Sequence, residues 1–569
     1  MRPTLSFATA LGVAAGLVEV ALRASPLRAL DLSQVGQWTL LAVASACAVT
    51  IPLALSRRPQ LVTAGLLGLL VSINYRYELV LNEFVRDPRV WGGMIGTFLL
   101  GAGVGWSMSR LLSVKRLLVL AVVATVVAVA RSTPTRGTPS DLPSVLVVSL
   151  DTTRADAVGD KPVFARLARE GTVFSQAIAA APITEPSHLA MFTGIAPYRS
   201  GIVSNGTNLG EREALIWRSL SDRGYLTGGF VAGFPLHGKY GWAQGMDAWD
   251  DDFGRWPGAE SLSMVKLYNQ FFVKEHALRE RPASRVIDRA ARWLRAHREE
   301  TFFAFVHFYD AHGPYEAPPR PGEVAAEPPT SGALLSLPQY WPPRFRAITS
   351  IDYLKGAYDA EVAYVDGALG TLLDALGDRL DNTIVVVTAD HGESLDEHGY
   401  LFDHGDDLYD PSLRVPLVVR YPPAVRAGLV QDCQVSGVDL APTLLDLLGV
   451  EDGHARDGLS RVPELRGEPC RDTPVVASTT AGRFVADPPV DHALRGGDTK
   501  LIAKESGAVE YYELTTDAGE SRNLAPSEAS KEREDLLRLL LRDQGATVGP
   551  EMDDATRQAL EALGYVEAE

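Results

Sequence analysis

The sequence predicts an α/β fold with a mostly parallel sheet sandwiched by helices, and a helical membrane region ahead of it. Two observations carry this. Three apolar runs, at 145–150, 302–308 and 384–389, are rich in β-branched and aromatic residues, and each leads into an acid or a histidine. Such runs read as strands buried on both faces, the habit of parallel sheets covered by helices. Residues 1–131 instead carry apolar stretches of the length that crosses a bilayer.

The membrane region comes first in the chain. Its apolar stretches run from Leu5 to Leu22, Trp38 to Leu55, Leu61 to Ile73, Val90 to Met108 and Leu117 to Ala130. They read as about five helices. Asn74, Arg76 and Glu78 make the third the weakest. The first has a signal peptide as its alternative, against which Glu19 and the later spans count. Arg57 and Arg58 fill one tight loop, and Arg110, Lys115 and Arg116 another, so both are expected in the cytoplasm. Five spans then place everything after Ala130 outside. The expectation is a multi-pass inner-membrane protein with an extracytoplasmic catalytic domain; without the third span the orientation reverses.

Residues 132–142, rich in Pro, Ser and Thr, read as a linker. The soluble part starts near Pro143. A formal charge of −17 over 569 residues argues against nucleic acid as a partner. Three cysteines are too few for a disulfide framework. Cys433 and Cys470 either pair outside the cytosol or remain buried thiols.

In parallel sheets ligands bind beyond the carboxyl ends of the strands. Asp151, Asp310, His312, Asp390 and His391 are therefore expected along one edge. Oxygen and imidazole donors gathered there point to a divalent metal. The segment 181–194 reads as a helix start, with Pro186 in the first turn and Thr184 at or just before the cap. A helix tip attracts anions, and a hydroxyl there faces a bound sulfate or phosphate. The alternative is that Thr184 merely caps the helix.

At these motifs the chain resembles the sulfatase family of the alkaline phosphatase superfamily. The resemblance rests on LVVSLDTTRAD at 146–156, TEPSHLAMFTG at 184–194, FVHFYDAHGPYEAPP at 305–319 and VVVTADHGESLDEHG at 385–399. HGDDLYDPSLRVPLVV at 404–419 and VDLAPTLLDLLG at 438–449 extend it. KLI at 500–502, YELTTDAGESRNLA at 512–525 and ALGYV at 562–566 resemble the family's small carboxyl-terminal α+β subdomain. The domains implied are a catalytic domain at 143–470 and that subdomain at 471–569.

The departures carry as much. Sulfatases place Cys or Ser, then x-Pro-x-Arg, and convert the first residue to formylglycine. This chain has Thr184 and His188 at those two positions. Threonine is no substrate for that conversion, so no formylglycine is expected. Phosphate-handling relatives, such as the phosphodiesterases and the phosphoethanolamine and phosphoglycerol transferases, use an unmodified threonine, and the transferases also resemble this chain in placing about five membrane spans before an extracytoplasmic catalytic domain.

The resemblance implies one divalent metal held by Asp151, Asp390 and His391, with Thr184 completing the set. The ligands do not select among Ca, Mn, Zn and Mg. His312 and His404 match positions that touch the ester oxygens or the leaving group, or that hold a second metal in the transferases. His188, Asn205 and Asp310 are expected around the substrate: His188 as a donor to the nucleophile region where sulfatases keep an arginine, Asn205 as a donor to the ester, and Asp310 as the group that orients His312, with a ligand of a second metal as the alternative. His307, inside its apolar run, reads as a satisfied interior histidine. The function expected is cleavage or transfer of sulfate or phosphate esters through a covalent Thr184 intermediate. The substrate fits an envelope lipid or glycan; a transferase and an inactive scaffold are the alternatives.

Overall fold

The computed structural model describes residues 142–212, 214–253, 280–317, 328–330, 333–338, 341–480 and 490–541. The stretches expected to cross a membrane and the ALGYV motif lie outside these residues. Among the described residues no helix is long and apolar enough to cross a membrane.

The three apolar runs form neighbouring strands. They are β1 (Ser144–Leu150), β5 (Phe302–Phe308) and β6 (Thr383–Thr388). Between β1 and β5 in the chain lie β2 (Thr172–Ile178), β3 (Leu226–Val231) and β4 (Ala248–Asp250). After β6 come β7 (Arg414–Val415), β8 (Leu417–Arg420) and β9 (Leu429–Ser436). Across the sheet the order is β4-β3-β5-β1-β6-β8-β2-β7, and β9 pairs with β2. The five strands from β4 to β6 are all parallel, while β8 runs antiparallel to β6 and to β2.

Every residue of β1, β3, β5 and β6 is buried, so both faces of the sheet's centre are covered. Two helices, α1 (Pro162–Glu170) and α3 (Ala283–Ala296), each pack against α4 (Ile351–Asp374). A further helix, α2 (Thr184–Thr193), packs against α5 (Leu440–Leu448). The buried apolar surface of such layers is the main stabilising term.

A second, antiparallel sheet runs β10 (Val475–Thr479), β11 (Asp491–Gly496), β12 (Thr499–Ala503) and β13 (Val509–Glu513). Helix α6 (Glu528–Leu541) covers it, with Leu494, Leu501, Tyr511 and Leu537 as its small core. Both sheets belong to one compact unit. Cys433 and Cys470 are joined as a disulfide, which ties β9 to the segment leading into β10.

Candidate active site

Parallel order fixes the site. Asp151 directly follows β1, and Asp390 and His391 follow β6 by two and three residues. Val148 pairs with Val387 and Ser149 with Thr388, so these chain ends emerge side by side. The ligating atoms of Asp151, Asp390 and His391 all lie within 4.8 Å of one another.

Thr184 is the first residue of α2, and its side chain does not cap the helix. The cap comes from elsewhere: Glu185 N donates to Asn205 Oδ1 at 2.8 Å. That frees the Thr184 hydroxyl, which lies 3.4 Å from His391 Nε2 and 3.5 Å from Asp151 Oδ2. Gly194, at φ +69°, closes the helix in the left-handed conformation that favours glycine. Ser187, the other hydroxyl of the motif, donates to the Asp390 carbonyl at 2.6 Å and is thereby committed.

The histidine tautomers follow from their partners, since a carbonyl only accepts. His391 Nδ1 donates to Gly392 O at 2.9 Å, so its Nε2 offers a lone pair toward Thr184. His312 Nδ1 donates to Gly313 O at 2.8 Å, so its Nε2 also offers a lone pair. His404 differs, because its Nδ1 lies 3.0 Å from Glu393 Oε1. The His404 ring centroid is 4.6 Å from that of His391 and 4.8 Å from that of His312, so these three rings form a row.

Two expected roles meet different surroundings. His188 is fully buried, with Nδ1 donating to Thr184 O at 2.8 Å and Nε2 2.9 Å from Ser149 Oγ. It thus donates to the nucleophile residue's backbone, and with both nitrogens used it braces the helix tip rather than reaching toward substrate. Asp310 does not orient His312; its carboxylate accepts from Ala283 N at 2.9 and 3.0 Å and caps α3. It follows the end of β5 by two residues, and the free N–H groups of α3 claim it.

Sequence reasoning passed over two residues. His307 is interior, but its Nε2 lies 2.9 Å from Asp151 Oδ2 and steadies that carboxylate. Its register opposite Ser149, two residues before Asp151, was the available signal. Glu185 is fully buried beside Thr184 and accepts from Gly206 N at 2.6 Å, which ties the helix tip to the Asn205 loop. Asn205 Nδ2, also buried, has no hydrogen-bond partner among the described residues.

The electrostatics are short of positive charge. Burial pushes Asp151 up to about 7, and burial with the nearby Asp151 raises Asp390. Burial pushes His188 down to about 3 and His307 to about 4, and holds His312 and His404 well below the ordinary histidine value. Burial also works against a charge on His391, yet Asp390 and Asp151 raise its pKa. Asp151 Oδ1 and Asp390 Oδ2 are buried with no hydrogen-bond partner among the described residues. Two orphaned carboxylate oxygens beside an imidazole lone pair and a hydroxyl fit a divalent cation. His188, His307 and Asp390 also cluster within 4.8 Å. The His188 nitrogens there are already spent on hydrogen bonds, so that trio is a brace.

A family model described as Sulfatase matches residues 143–450 of this chain. The chain belongs to the sulfatase family. It is thus an enzyme of the sulfatase-like ester-hydrolase class, with the α/β fold of the alkaline phosphatase superfamily. A second model, described as N-sulphoglucosamine sulphohydrolase, C-terminal, matches residues 396–544. The uncharacterized sulfatase YidJ of Escherichia coli (strain K12) is 27% identical over 429 residues, which cover 67% of this chain and 83% of that protein. The N-acetylglucosamine-6-O-sulfatase of Bacteroides thetaiotaomicron is 36% identical over 194 residues, or 32% of this chain and 34% of that protein. The crystal structure of the phosphonate monoester hydrolase of Agrobacterium radiobacter matches in fold with a TM-score of 0.56 and 21% identity, covering 70% of this chain and 95% of that one.

Proposed function

We propose that this sulfatase-family protein cleaves a sulfuric or phosphoric ester through a covalent intermediate on Thr184. One observation carries the reading. The Thr184 hydroxyl, released from capping, sits at a helix tip within 3.5 Å of both His391 Nε2 and Asp151 Oδ2. Asp151 Oδ2 is the acceptor for its proton, since the His391 Nε2 lone pair faces the cation site, and the loss of that proton is what makes a hydroxyl a nucleophile. Asp151, Asp390 and His391 would hold a divalent cation. When bound, the ion supplies positive charge that lowers the pKa of a hydroxyl and offsets charge on the ester.

The protein's own residues supply the rest. The tip of α2 turns its positive dipole end toward the anionic ester, while Glu185 N is spent on Asn205 Oδ1 and Ser187 N on Ile183 O. Asn205 Nδ2 is a donor held close by, because Asn205 Oδ1 is fixed on Glu185 N. Site burial excludes bulk water and strengthens each of these contacts.

The membrane location belongs to the same proposal. The apolar stretches before residue 131 support a multi-pass anchor. The Cys433–Cys470 disulfide suits an oxidising, extracytoplasmic compartment. An anchored domain there suits an envelope lipid or glycan ester. Family membership and the intact Asp151, Asp390 and His391 trio support catalysis over a scaffolding role.

The test is intact mass after trapping with activated sulfate and phosphate esters. A gain located on Thr184 is expected, and its size identifies sulfur or phosphorus. A gain on any other residue, or none with either ester, would overturn the reading.

A further inference from the structure

The second sheet has no part in the chemistry described so far, yet all four of its strands place a side chain on one short stretch of the catalytic domain. That stretch, 404–410, starts at His404. From β10, Thr479 Oγ1 donates to Gly405 O. From β11 and β12, Arg495 and Lys500 hold the Asp410 carboxylate. From β13, Glu510 Oε2 accepts from Tyr409 Oη at 2.7 Å. Three strands thus grip the far end of the stretch, and β10 grips the end beside His404.

Gly405 gives the β10 contact its weight. Its φ is +93°, in the left-handed region that glycine enters freely, so the chain turns just after His404 on a residue with little stiffness of its own. Before His404 the chain is fixed by two backbone hydrogen bonds between Ser394 and Asp403, at 3.0 and 3.1 Å. After it, the Thr479 hydroxyl fixes the turn. The same strand steadies the approach to Thr184, because Ser478 N donates to Ala180 O at 3.0 Å. The Gly405 turn lies against that approach, since a Cβ added there would meet Ile183 Cγ1 at 3.6 Å.

We propose that Thr479 is a positioning residue, which sets the place of the His404 ring in the pocket by pinning the Gly405 turn. The inference rests on the reading of this pocket as the site of ester cleavage. Thr479 touches no reacting atom and acts only through the backbone next to His404. That ring stands 4.6 Å from the His391 ring, centroid to centroid. Thr479 and Gly405 are both buried, so a lost donor leaves a buried carbonyl that the turn relieves by moving. A misplacement of about 1 Å around reacting atoms costs up to ~10²-fold in rate.

The experiment measures kcat and KM for a 4-nitrophenyl ester, with a thermal melt, on the full chain. Intact mass of the Thr184 adduct counts the competent sites in each sample. Thr479→Val is expected to lower kcat per competent site at least ~10-fold with little change in KM. Thr479→Ser, which keeps the hydroxyl, should restore most of it. Thr479→Ala removes the hydroxyl without setting a methyl group against the carbonyl, and gives the same readout if the valine variant does not fold. Tyr409→Phe is the control, because it also removes one hydroxyl contact between this stretch and the second sheet, but at the far end. It should lower the melting temperature by a similar amount and leave kcat per site nearly unchanged. A kcat per site that stays at the wild-type value in Thr479→Val or Thr479→Ala would overturn the proposal. So would equal losses in Thr479→Val and Tyr409→Phe, or a serine variant as slow as the valine one. Wild-type protein that turns over ester without an adduct on Thr184 would overturn the nucleophile reading instead, and the kcat comparison among the variants would still decide the role of Thr479.

Discussion

Thr184 Oγ1 lies 3.4 Å from His391 Nε2, although 207 positions separate the two residues in the chain. The contact joins a helix tip to the end of a parallel strand. It exists because Asn205, not Thr184, caps the helix. Thr184→Ala is therefore expected to keep the fold, since the cap stays in place. Turnover should fall by at least ~10³-fold, as for loss of a nucleophile elsewhere. Thr184→Ser should retain a measurable share, because the hydroxyl survives without the stiff β-branch. Steady-state kinetics with a thermal melt on the same samples checks this. Undiminished turnover in Thr184→Ala would end the case for this nucleophile.

Cation removal should be visible without any substrate. Asp151 Oδ1 and Asp390 Oδ2 are buried acceptors with no hydrogen-bond partner among the described residues, so a bound cation stabilises the folded state alone. A chelator should lower the melting temperature, and added ion should raise it again with concentration. A stabilisation of about 2.7 kcal/mol is expected when the ion is at a hundredfold excess over its Kd. Asp390→Asn should abolish the ion dependence. A melt that ignores both chelator and ion would remove the cation from the account.

Asn205 and Asp310 were expected to share a substrate role, and the structure separates them. Asn205 Nδ2 is a buried donor near the helix tip, so Asn205→Ala should cost about 10²-fold in kcat, the loss typical of one such donor, together with about 1 kcal/mol of stability for the lost cap on Glu185 N. Asp310 caps α3 through Ala283 N. Asp310→Ala should cost about 1 kcal/mol of stability and little turnover. Kinetics paired with urea titration distinguishes the two. The reverse pattern, activity lost in Asp310→Ala and kept in Asn205→Ala, would show the assignments to be exchanged.

The strands and their acidic ends were legible because period and burial act locally. Continuous apolar runs such as 145–150 and 384–389 admit few other structures, and parallel order brings their ends together. The surroundings of single polar residues were not legible in the same way. Asp310 and His312 lie two positions apart in the chain, which encouraged pairing them. The winning contact is with Ala283, 27 residues away, because a helix start with unsatisfied N–H groups arrives there. His307 looked like a satisfied core residue; it is buried, but only half satisfied, because its Nδ1 has no hydrogen-bond partner among the described residues. What satisfies it is the Asp151 carboxylate, a partner set by strand register rather than by neighbouring sequence.

The junction between the two sheets gives a prediction remote from the chemistry. Asp410 accepts from Arg495 Nε at 3.1 Å, from Arg495 Nη2 at 3.0 Å and from Lys500 Nζ at 2.9 Å. Glu520 completes the group, taking Lys500 Nζ at 2.7 Å and the Asp410 backbone N at 2.7 Å. Burial opposes a charge on Asp410, but Lys500 and Arg495 outweigh it and hold the carboxyl far below the usual carboxylate range. A carboxyl depressed on folding contributes stability above its unfolded pKa of about 4 and loses it as pH falls through the folded value. Glu520, raised mainly by burial, works in the opposite sense, and Lys500, raised by both acids, stays charged throughout the acid range. Asp410→Asn should therefore cost about 3 kcal/mol at neutral pH, the scale for breaking a buried pair. The gap to wild type should begin to narrow below about pH 4, where the unfolded carboxyl takes up a proton, and close only as pH falls through the much lower folded value. Urea midpoints across that range check the sign. A gap that stays constant with pH would mean that shape, not charge, holds this junction together.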